Sequence, residues 1–295
     1  MLSILIPCYN YNAFPLAQKL EKQAKKTGIP FELFCVDDGS HSEHNRINEK
    51  VNTLSNCHFI AAPYNRGRIG LRQYLTSLAN YEHLLFVDAD TMPRESDYIQ
   101  KYLKVNSSSN DAIFGGIIYE NQPPPTEYML RWNYGHRYET KKASVRNQDK
   151  YQNIVSANFL IKKSVFKNIN SHLPKEGYGL DNYFGALLKK ERTTVLHINN
   201  PVYHLGLDKS TAYLQKVEQS IDTLLILKNT PKTIATDNAL LSIFSRTKKF
   251  KLNTVIAKTF KLSKPALTKN LISPKPSVRL LQFYKLGYIC YKDLN

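Results

Sequence analysis

The chain has 295 residues, 42% hydrophobic and 22% charged, a balance that supports a sizeable buried core and excludes a disordered chain. Its 41 Lys and Arg outnumber 24 Asp and Glu, for a formal net charge of +17. No run of about 18 apolar residues occurs, which argues against a membrane-spanning helix, and Cys8, Cys35, Cys57 and Cys290 form neither a CxxC pair nor a zinc spacing, as expected of buried free thiols in a reducing compartment.

Strand-like and helix-like segments alternate from the start. Residues 2–7 read as a buried strand ended by Pro7. Residues 14–25 carry apolar positions at helical spacing and stop at Gly28 and Pro30. Residues 31–37 form a second strand, followed by a turn and a polar helix near 42–52. A third strand is expected over 57–62. A helix from about Gly67 to Asn80 then leads into a fourth strand ending at Asp88. Such alternation predicts parallel β-α-β units with right-handed crossovers, and ligands of such sheets lie beyond the carboxyl ends of the strands.

Four post-strand segments should therefore share one rim: ProCysTyrAsnTyrAsn (7–12), AspAspGlySer (37–40), ProTyrAsnArgGlyArgIleGly (63–70) and AspAlaAspThr (88–91). Tyr9 or Tyr11 suits stacking on a base. Asp38 suits accepting from a base imino group or a ribose hydroxyl. Arg66 and Arg68 suit phosphates, with the amides around Gly67 and Gly70 at a helix start adding partial positive charge. Turn chemistry explains each of these singly; four on one rim point to a nucleotide. Asp88 and Asp90 stand at i and i+2 of an expected strand end, which would aim both carboxylates at one point. Their repulsion is relieved by a hard divalent cation, Mg2+ or Mn2+, holding a diphosphate.

SerIleLeuIleProCysTyrAsn (3–10), ValAspAspGlySer (36–40), AsnArgGlyArg (65–68) and PheValAspAlaAsp (86–90), in this order and spacing, resemble the family 2 glycosyltransferases over roughly residues 1–205. The resemblance implies an α/β architecture of the GT-A type, a Rossmann-like, mixed, mostly parallel sheet flanked by helices. It further implies an inverting enzyme that uses a nucleoside-diphosphate sugar, usually with Mn2+ or Mg2+. Carried over, Pro7, Tyr9, Asn10, Asp38, Arg66, Arg68 and Asp88 would form the nucleotide-sugar site. Asp88 would meet the ribose or a metal-bound water and Asp90 the metal, with His204 as the third ligand; His197 reads as structural. Residues 175–185 are similar to the family's Gly-Tyr-Gly-x-Glu-Asp-x-x-Phe-Gly segment, whose Asp is the general base; here that position is Asp181. Leu180 replaces the preceding Glu, which weakens any two-carboxylate scheme. Glu176 is the reserve candidate, and a helix N-cap is the purely structural role for Asp181.

Residues 111–119 read as a further strand and 121–151 as an irregular stretch. In the latter, Trp132, Tyr134 and His136 suit either an acceptor platform or a small satellite core. Residues 197–206 read as a strand pair ending at His204, and a helix of about 18 residues is expected from Thr211. The expected domains are a GT-A catalytic domain (1–210), with a nucleotide-sugar-binding half (1–110) and an acceptor half (111–210), and a helical, basic C-terminal extension (211–295). From Lys209 onward 16 Lys and Arg face 4 Asp and Glu. Such a tail fits an anionic membrane surface or nucleic acid. Its interleaved Phe, Leu, Ile and Tyr suggest amphipathic helices on the inner membrane face, against a packed appendage with a solvated basic face, and no nucleic-acid partner is expected. A cytoplasmic location, peripheral to the cell membrane, follows.

The expected reaction moves a sugar from a UDP-sugar or its like to a hydroxyl of a glycan or lipid-linked acceptor. A nucleotidyltransferase acting on a sugar phosphate would need a Gly-rich, Lys/Arg-bearing loop after the first strand, and a dehydrogenase would need Gly-x-Gly-x-x-Gly there; ProCysTyrAsn is neither. A non-enzymatic, membrane-binding role for the basic tail is the remaining alternative.

Overall fold

The first strand, β1 (Leu2–Cys8), is buried along its length apart from Pro7, as a central parallel strand covered on both faces must be. A computed structural model of the chain describes residues 1–106, 109–174, 177–229 and 238–294. After β1 come α1 (Phe14–Thr27), β2 (Phe31–Asp37), α2 (His44–Asn48), β3 (Cys57–Ala61), α3 (Gly67–Leu78) and β4 (His83–Val87). The polar helix expected near 42–52 is two short pieces, α2 and a 3-10 turn over Glu49–Thr53. Buried Asn48 explains the break: its side chain accepts from Ala13 N and donates to the Tyr11 carbonyl, at 2.9 Å each. There follow β5 (Thr91–Pro93), α4 (Tyr98–Val105), β6 (Ala112–Phe114), β7 (Ile117–Ile118), α5 (Met129–Tyr134), α6 (Ala143–Arg146), β8 (Asn158–Lys162), α7 (Lys163–Ser171), α8 (Asp181–Lys190), β9 (Val195–His197) and β10 (Val202–His204). The C-terminal part is helical: α9 (Ser210–Asn229), α10 (Ala239–Lys249), α11 (Asn253–Leu271) and α12 (Val278–Leu294).

The chain divides into two compact units. One comprises Met1–Ile118, Lys141–Glu176 and Leu187–Gly206. Its large sheet runs β3-β2-β1-β4-β8-β6-β9. The first four strands are parallel, β8 is antiparallel to β4 and β6, and β9 is parallel to β6. A small sheet runs β5-β10-β7. The register pairs Cys8 with Asp37 and Asp37 with Ala61, so β1, β2 and β3 end level. Ile4, Ile6, Leu33, Cys35, Leu85 and Val87 meet Leu16, Leu20, Tyr98 and Ile99 in one core.

The strand expected over 111–119 is broken at Gly115 and Gly116, and the pair expected over 197–206 is divided between the two sheets. A single buried side chain accounts for both. Arg146 donates to the carbonyls of Phe114 (3.1 Å), Gly115 (3.0 Å) and Ile198 (2.6 Å) and to His197 Nδ1 (2.9 Å). Gly116, at φ +92°, has no Cβ to obstruct it; one would sit 2.7 Å from Arg146 Nη2. His197 Nε2 donates in turn to the Lys150 carbonyl at 2.8 Å, so the imidazole is neutral with its proton on Nε2. The structural role expected for His197 matches these contacts.

The other unit comprises Tyr119–Thr140, Gly177–Ala186 and Leu207–Asn295. Its core gathers Leu130, Tyr213, Val217, Ile221, Phe244, Phe260, Leu271, Leu281, Tyr284 and Ile289. The stretch expected to be irregular is largely helical here: a 3-10 turn at Thr126–Tyr128, then α5 widening into a π-turn over Gly135–Glu139. The π-turn brings Glu139 back to Arg131 at 3.0 Å and to the Tyr119 hydroxyl. Gly135 lets the Tyr119 ring lie against the backbone, since a Cβ would come within 2.2 Å of Tyr119 Cζ. Among the described residues no helix is long and apolar enough to cross a membrane, and all four cysteines are buried and free.

Burial, reinforced by the Arg146 charge and opposed by the bond to Lys150, lowers the His197 pKa from 6.5 to about 4. Because the folded value lies below the unfolded one, this contribution to stability is complete above pH 6.5 and is lost as pH falls toward 4. We expect about 3 kcal/mol to be lost across that window. Denaturant midpoints of wild type and His197→Gln should converge as the solution is acidified; a gap independent of pH would contradict a neutral imidazole.

Candidate functional site

The neighbouring carboxyl ends of β1 to β4 bring all four post-strand segments onto one rim, and backbone hydrogen bonds tie them together. Asp38 N donates to the Cys8 carbonyl (2.9 Å), Ala62 N to Asp37 (2.8 Å) and Ala89 N to Pro7 (3.4 Å). Buried Asp37 organises the loops after β1 and β2. Its carboxylate accepts from Asn10 N (3.3 Å), Ser40 N (2.9 Å), Ser40 Oγ (2.7 Å) and Asn45 Nδ2 (3.2 Å). Asn10 thereby holds a left-handed backbone, φ 49°, and turns Tyr9 out into solvent.

Asp38 is buried as well, and its Oδ1 accepts from Arg66 N at 2.9 Å, at the start of α3. Burial pushes its carboxyl up, and the amides and charge at Arg66 and Gly67 pull against that rise. Gly39, at φ +68°, permits the contact between the two loops: a Cβ would lie 2.5 Å from the Tyr64 backbone. Arg66 lies with its guanidinium over the rings of Tyr64 (4.3 Å) and Tyr74 (4.5 Å), so it presents a stacked, planar cation.

Asp88 and Asp90 have different partners. The extended chain stops at Val87, and Thr91 closes a turn on the Asp88 carbonyl through N (3.0 Å) and Oγ1 (2.7 Å). The i, i+2 alternation of a strand therefore does not govern their directions. Asp88 pairs with Arg72, which is itself buried, and stands 3.7 Å from Arg68 Nη2. Both arginines also reach Ser156, Arg68 through Oγ (2.6 Å) and Arg72 through the carbonyl (3.1 Å). Asp90 faces His204, Oδ2 to Nε2 at 3.3 Å. Burial alone would raise the Asp90 carboxyl, but the His204 hydrogen bond and the charges of His204 and Arg68 outweigh it and hold it below its ordinary value. Strand pairing supplies the closeness: His204 lies opposite Thr91 in the β10–β5 ladder, and Leu205 N donates to the Asp90 carbonyl at 2.8 Å. Among the described residues no three His, Cys, Asp or Glu side chains form a ready-made cation cage.

Arg72 and Ser156 were not singled out in the sequence. Arg72 had a signal, since it follows Arg68 at i+4 on the same helical face. Ser156 stands just before β8, which pairs directly with β4, and only that pairing across the chain brings it beside Asp88.

Asp181 belongs to the other unit, where it opens α8. Gly177 (φ +133°) and Gly179 (φ +80°) lie directly on α9; a Cβ on either would come within 2.8 Å of Thr223 or Ser220. Tyr178 N donates to Thr223 Oγ1 at 3.2 Å. The Gly-Tyr-Gly run is thus a close-contact seat for the segment that carries Asp181. In the same unit Trp132 Nε1 (2.8 Å) and His136 Nε2 (3.0 Å) both bond the Glu120 carbonyl, their rings edge to face at 4.3 Å. Tyr134 packs with Tyr138 and Tyr213. Glu176 lies outside the described residues.

A mannosyltransferase from Pyrobaculum calidifontis, solved with GDP-Man and Mn2+, has a similar structure (TM-score 0.56, 12% identity, covering 99% of this chain and 86% of that one). So do residues 1–349 of TarS from S. aureus, solved with UDP-GlcNAc (TM-score 0.51, 15% identity, 99% and 89%). Against a longer TarS chain the match spans 40% of its length (TM-score 0.50, 17% identity, 78% of this chain). At these identities the likeness speaks for the fold, which is GT-A, and the protein is a glycosyltransferase. The family model described as Glycosyl transferase family 2 matches residues 3–169, more than half of the chain, and the chain belongs to that family. A comparison with curated proteins returned no match.

Replacing Arg72 by Ala strips the buried partner from Asp88. We expect a loss of about 2 kcal/mol, less than a fully buried pair because Asp88 keeps some solvent, and Arg72→Lys should recover part of it. Urea denaturation measures both.

Proposed function

We propose that the chain transfers a sugar, with inversion, from a nucleoside-diphosphate sugar of the UDP type to a hydroxyl of a glycan or lipid-linked acceptor. One observation carries this reading: four loops after parallel strands converge on one rim, where Asp88 is gripped by Arg72 and Arg68 while Asp90 meets His204. The family supports sugar transfer, and two proteins of similar fold have been solved with GDP-Man and with UDP-GlcNAc.

Exposed Tyr9 offers a face for the base, beside a loop whose shape Asp37 and Asn10 hold. Asp38 acts by bracing the Arg66 amide against the β2 loop. Arg68, more exposed than Arg72, supplies positive charge toward phosphate oxygens, while Arg72 holds Asp88, which meets a ribose hydroxyl or a bound water. Asp90 and His204 are a carboxylate and an imidazole 3.3 Å apart, a donor pair that fits Mn2+ or Mg2+ when diphosphate oxygens complete the shell. Such a cation, when bound, neutralises charge on the departing diphosphate.

Asp181 stands in the first turn of α8. It removes the proton of the acceptor hydroxyl. The resulting oxygen attacks the anomeric carbon from the face opposite the diphosphate, the carbon–oxygen bond to the diphosphate breaks, and the sugar leaves inverted. A base of this kind contributes ~10²–10⁴-fold. Glu176 is the reserve for this role. We also propose that residues 1–210 carry transfer and that 211–295 are an extension whose first helix, α9, seats the Asp181 segment.

Asp181→Asn should lower transfer by at least ~10²-fold with donor affinity nearly intact; parallel loss of both would remove Asp181 from the role of base. Asp90→Ala and His204→Ala should weaken donor binding only when Mn2+ is present, and chelation should do the same to wild type. Gly206→Ala is a gentler probe, because its Cβ would lie 2.5 Å from Asp90 Oδ2 and push the carboxylate tip aside. It should cost about tenfold in donor affinity with little change in melting temperature. A thermal-shift panel of UDP-, GDP- and dTDP-sugars with and without Mn2+ identifies the donor, and release of UDP rather than pyrophosphate excludes nucleotidyl transfer.

A further inference from the structure

Between residues 238 and 292 the chain carries 12 Lys and Arg and no Asp or Glu. Helices α10, α11 and α12 already have an inner face, burying Phe244, Phe260, Leu267, Leu281 and Tyr284. Their outer surface nevertheless holds large apolar side chains in water: Phe250 is 69% exposed, Leu252 50%, Val255 60% and Leu262 84%. These four lie along one edge. Phe250 and Leu252 flank Lys251, whose φ of 56° turns the chain from α10 into α11. Val255 follows in the first turn of α11, and Leu262 stands at i+7 from it, two turns along the same side. Exposed Lys249, Lys251, Lys258, Lys261 and Lys269 are interspersed with them.

We propose that this edge, the α10–α11 turn with the outer side of α11, docks on an anionic phospholipid surface. Phe250, Leu252, Val255 and Leu262 enter the boundary between headgroups and acyl chains, and the lysines pair with lipid phosphates. Charge complementarity selects the occupant. A second copy of the same edge would bring like charge against like. Nucleic acid attracts lysine too, but single strands are held by stacking, and Leu252, Val255 and Leu262 have no π-face to offer. A bilayer interface takes both the aliphatic chains and the cations. The proposal stands apart from the sugar-transfer reading, since none of these residues lies on the rim of the sheet.

The test is co-sedimentation of the full chain with phosphatidylcholine vesicles, with and without phosphatidylglycerol. Phosphatidylglycerol should raise partitioning at least ~tenfold, and added salt should reverse it. Phe250→Ser with Leu262→Ser should lower partitioning ~tenfold, as should Lys258→Glu with Lys261→Glu, while melting temperature and release of UDP from a UDP-sugar stay at wild-type values. Phe250→Trp, read against the sole native tryptophan, Trp132, should shift its emission to the blue on anionic vesicles only. The idea is overturned if phosphatidylglycerol gives no gain, or if the serine pair leaves partitioning unchanged. It is equally overturned by an oligonucleotide or self-association that the serine pair abolishes, or if vesicles leave the emission of the Phe250→Trp variant unmoved.

Discussion

Everything at the Asp90–His204 contact depends on a guanidinium buried well away from it. Arg146 holds the point where the chain leaves the large sheet for the small one, at Gly115–Gly116 and again at Ile198. Its partners are carbonyl oxygens and a neutral imidazole, so the charge is solvated by dipoles, and burial lowers its pKa to about 10. With that crossing in place, β10 runs antiparallel to β5 and sets His204 opposite Thr91, next to Asp90. Asn158 strengthens the same junction: the hydroxyls of Tyr98 and Tyr102 donate to its Oδ1 at 2.6 Å each, and its Nδ2 donates to the carbonyls of Gly116 and Asn200. A network in which Arg146 and the Asn158 amide meet this many buried partners favours one arrangement over its neighbours, because any shift leaves buried donors unmet.

The rim uses its carboxylates in two ways. Asp37 and Asp38 face inward and hold loops, accepting from backbone amides and from Ser40 and Asn45. Asp88 and Asp90 keep part of their surface in solvent, each already beside a cationic or cation-capable side chain. This division lets the site stay shaped before any ligand arrives. Charge stabilisation is strongest from groups that need not reorganise, and the rim's loops are braced by short bonds from one strand end to the next.

The second unit shows the same economy around Arg131. Its guanidinium bonds Glu139 and lies over the rings of Tyr119 (5.2 Å) and Tyr213 (5.1 Å). Glu139, with the neighbouring tyrosines, holds that arginine well above its ordinary pKa against the opposing effect of burial. The pair of α5 and its π-turn is thus anchored to α9, the helix on which Gly177 and Gly179 also rest. One helix supports both the aromatic segment and the segment that carries Asp181.

The parallel half of the sheet was legible in the residues alone. Largely apolar runs of four to six residues ended by Pro7, Asp37 or Asp88, separated by helical spacing, specify strands and helices through local preference and burial, and these act over a few residues. The family motifs were legible for the same reason, being contiguous. Pairings made across the chain were not. Arg68 with Ser156 spans 88 residues, Arg146 with His197 spans 51, and nothing in either local sequence names its partner. The turn at Asp88–Thr91, the π-turn that ordered a stretch read as irregular, and the division of 195–204 between two sheets were likewise decided by tertiary packing. The sequence by itself determined the strands and helices of the parallel half and which acidic and basic groups stand at their ends. Only the folded chain decided which acid faces which base, because that depends on contacts whose entropy of closure is met by the whole core at once.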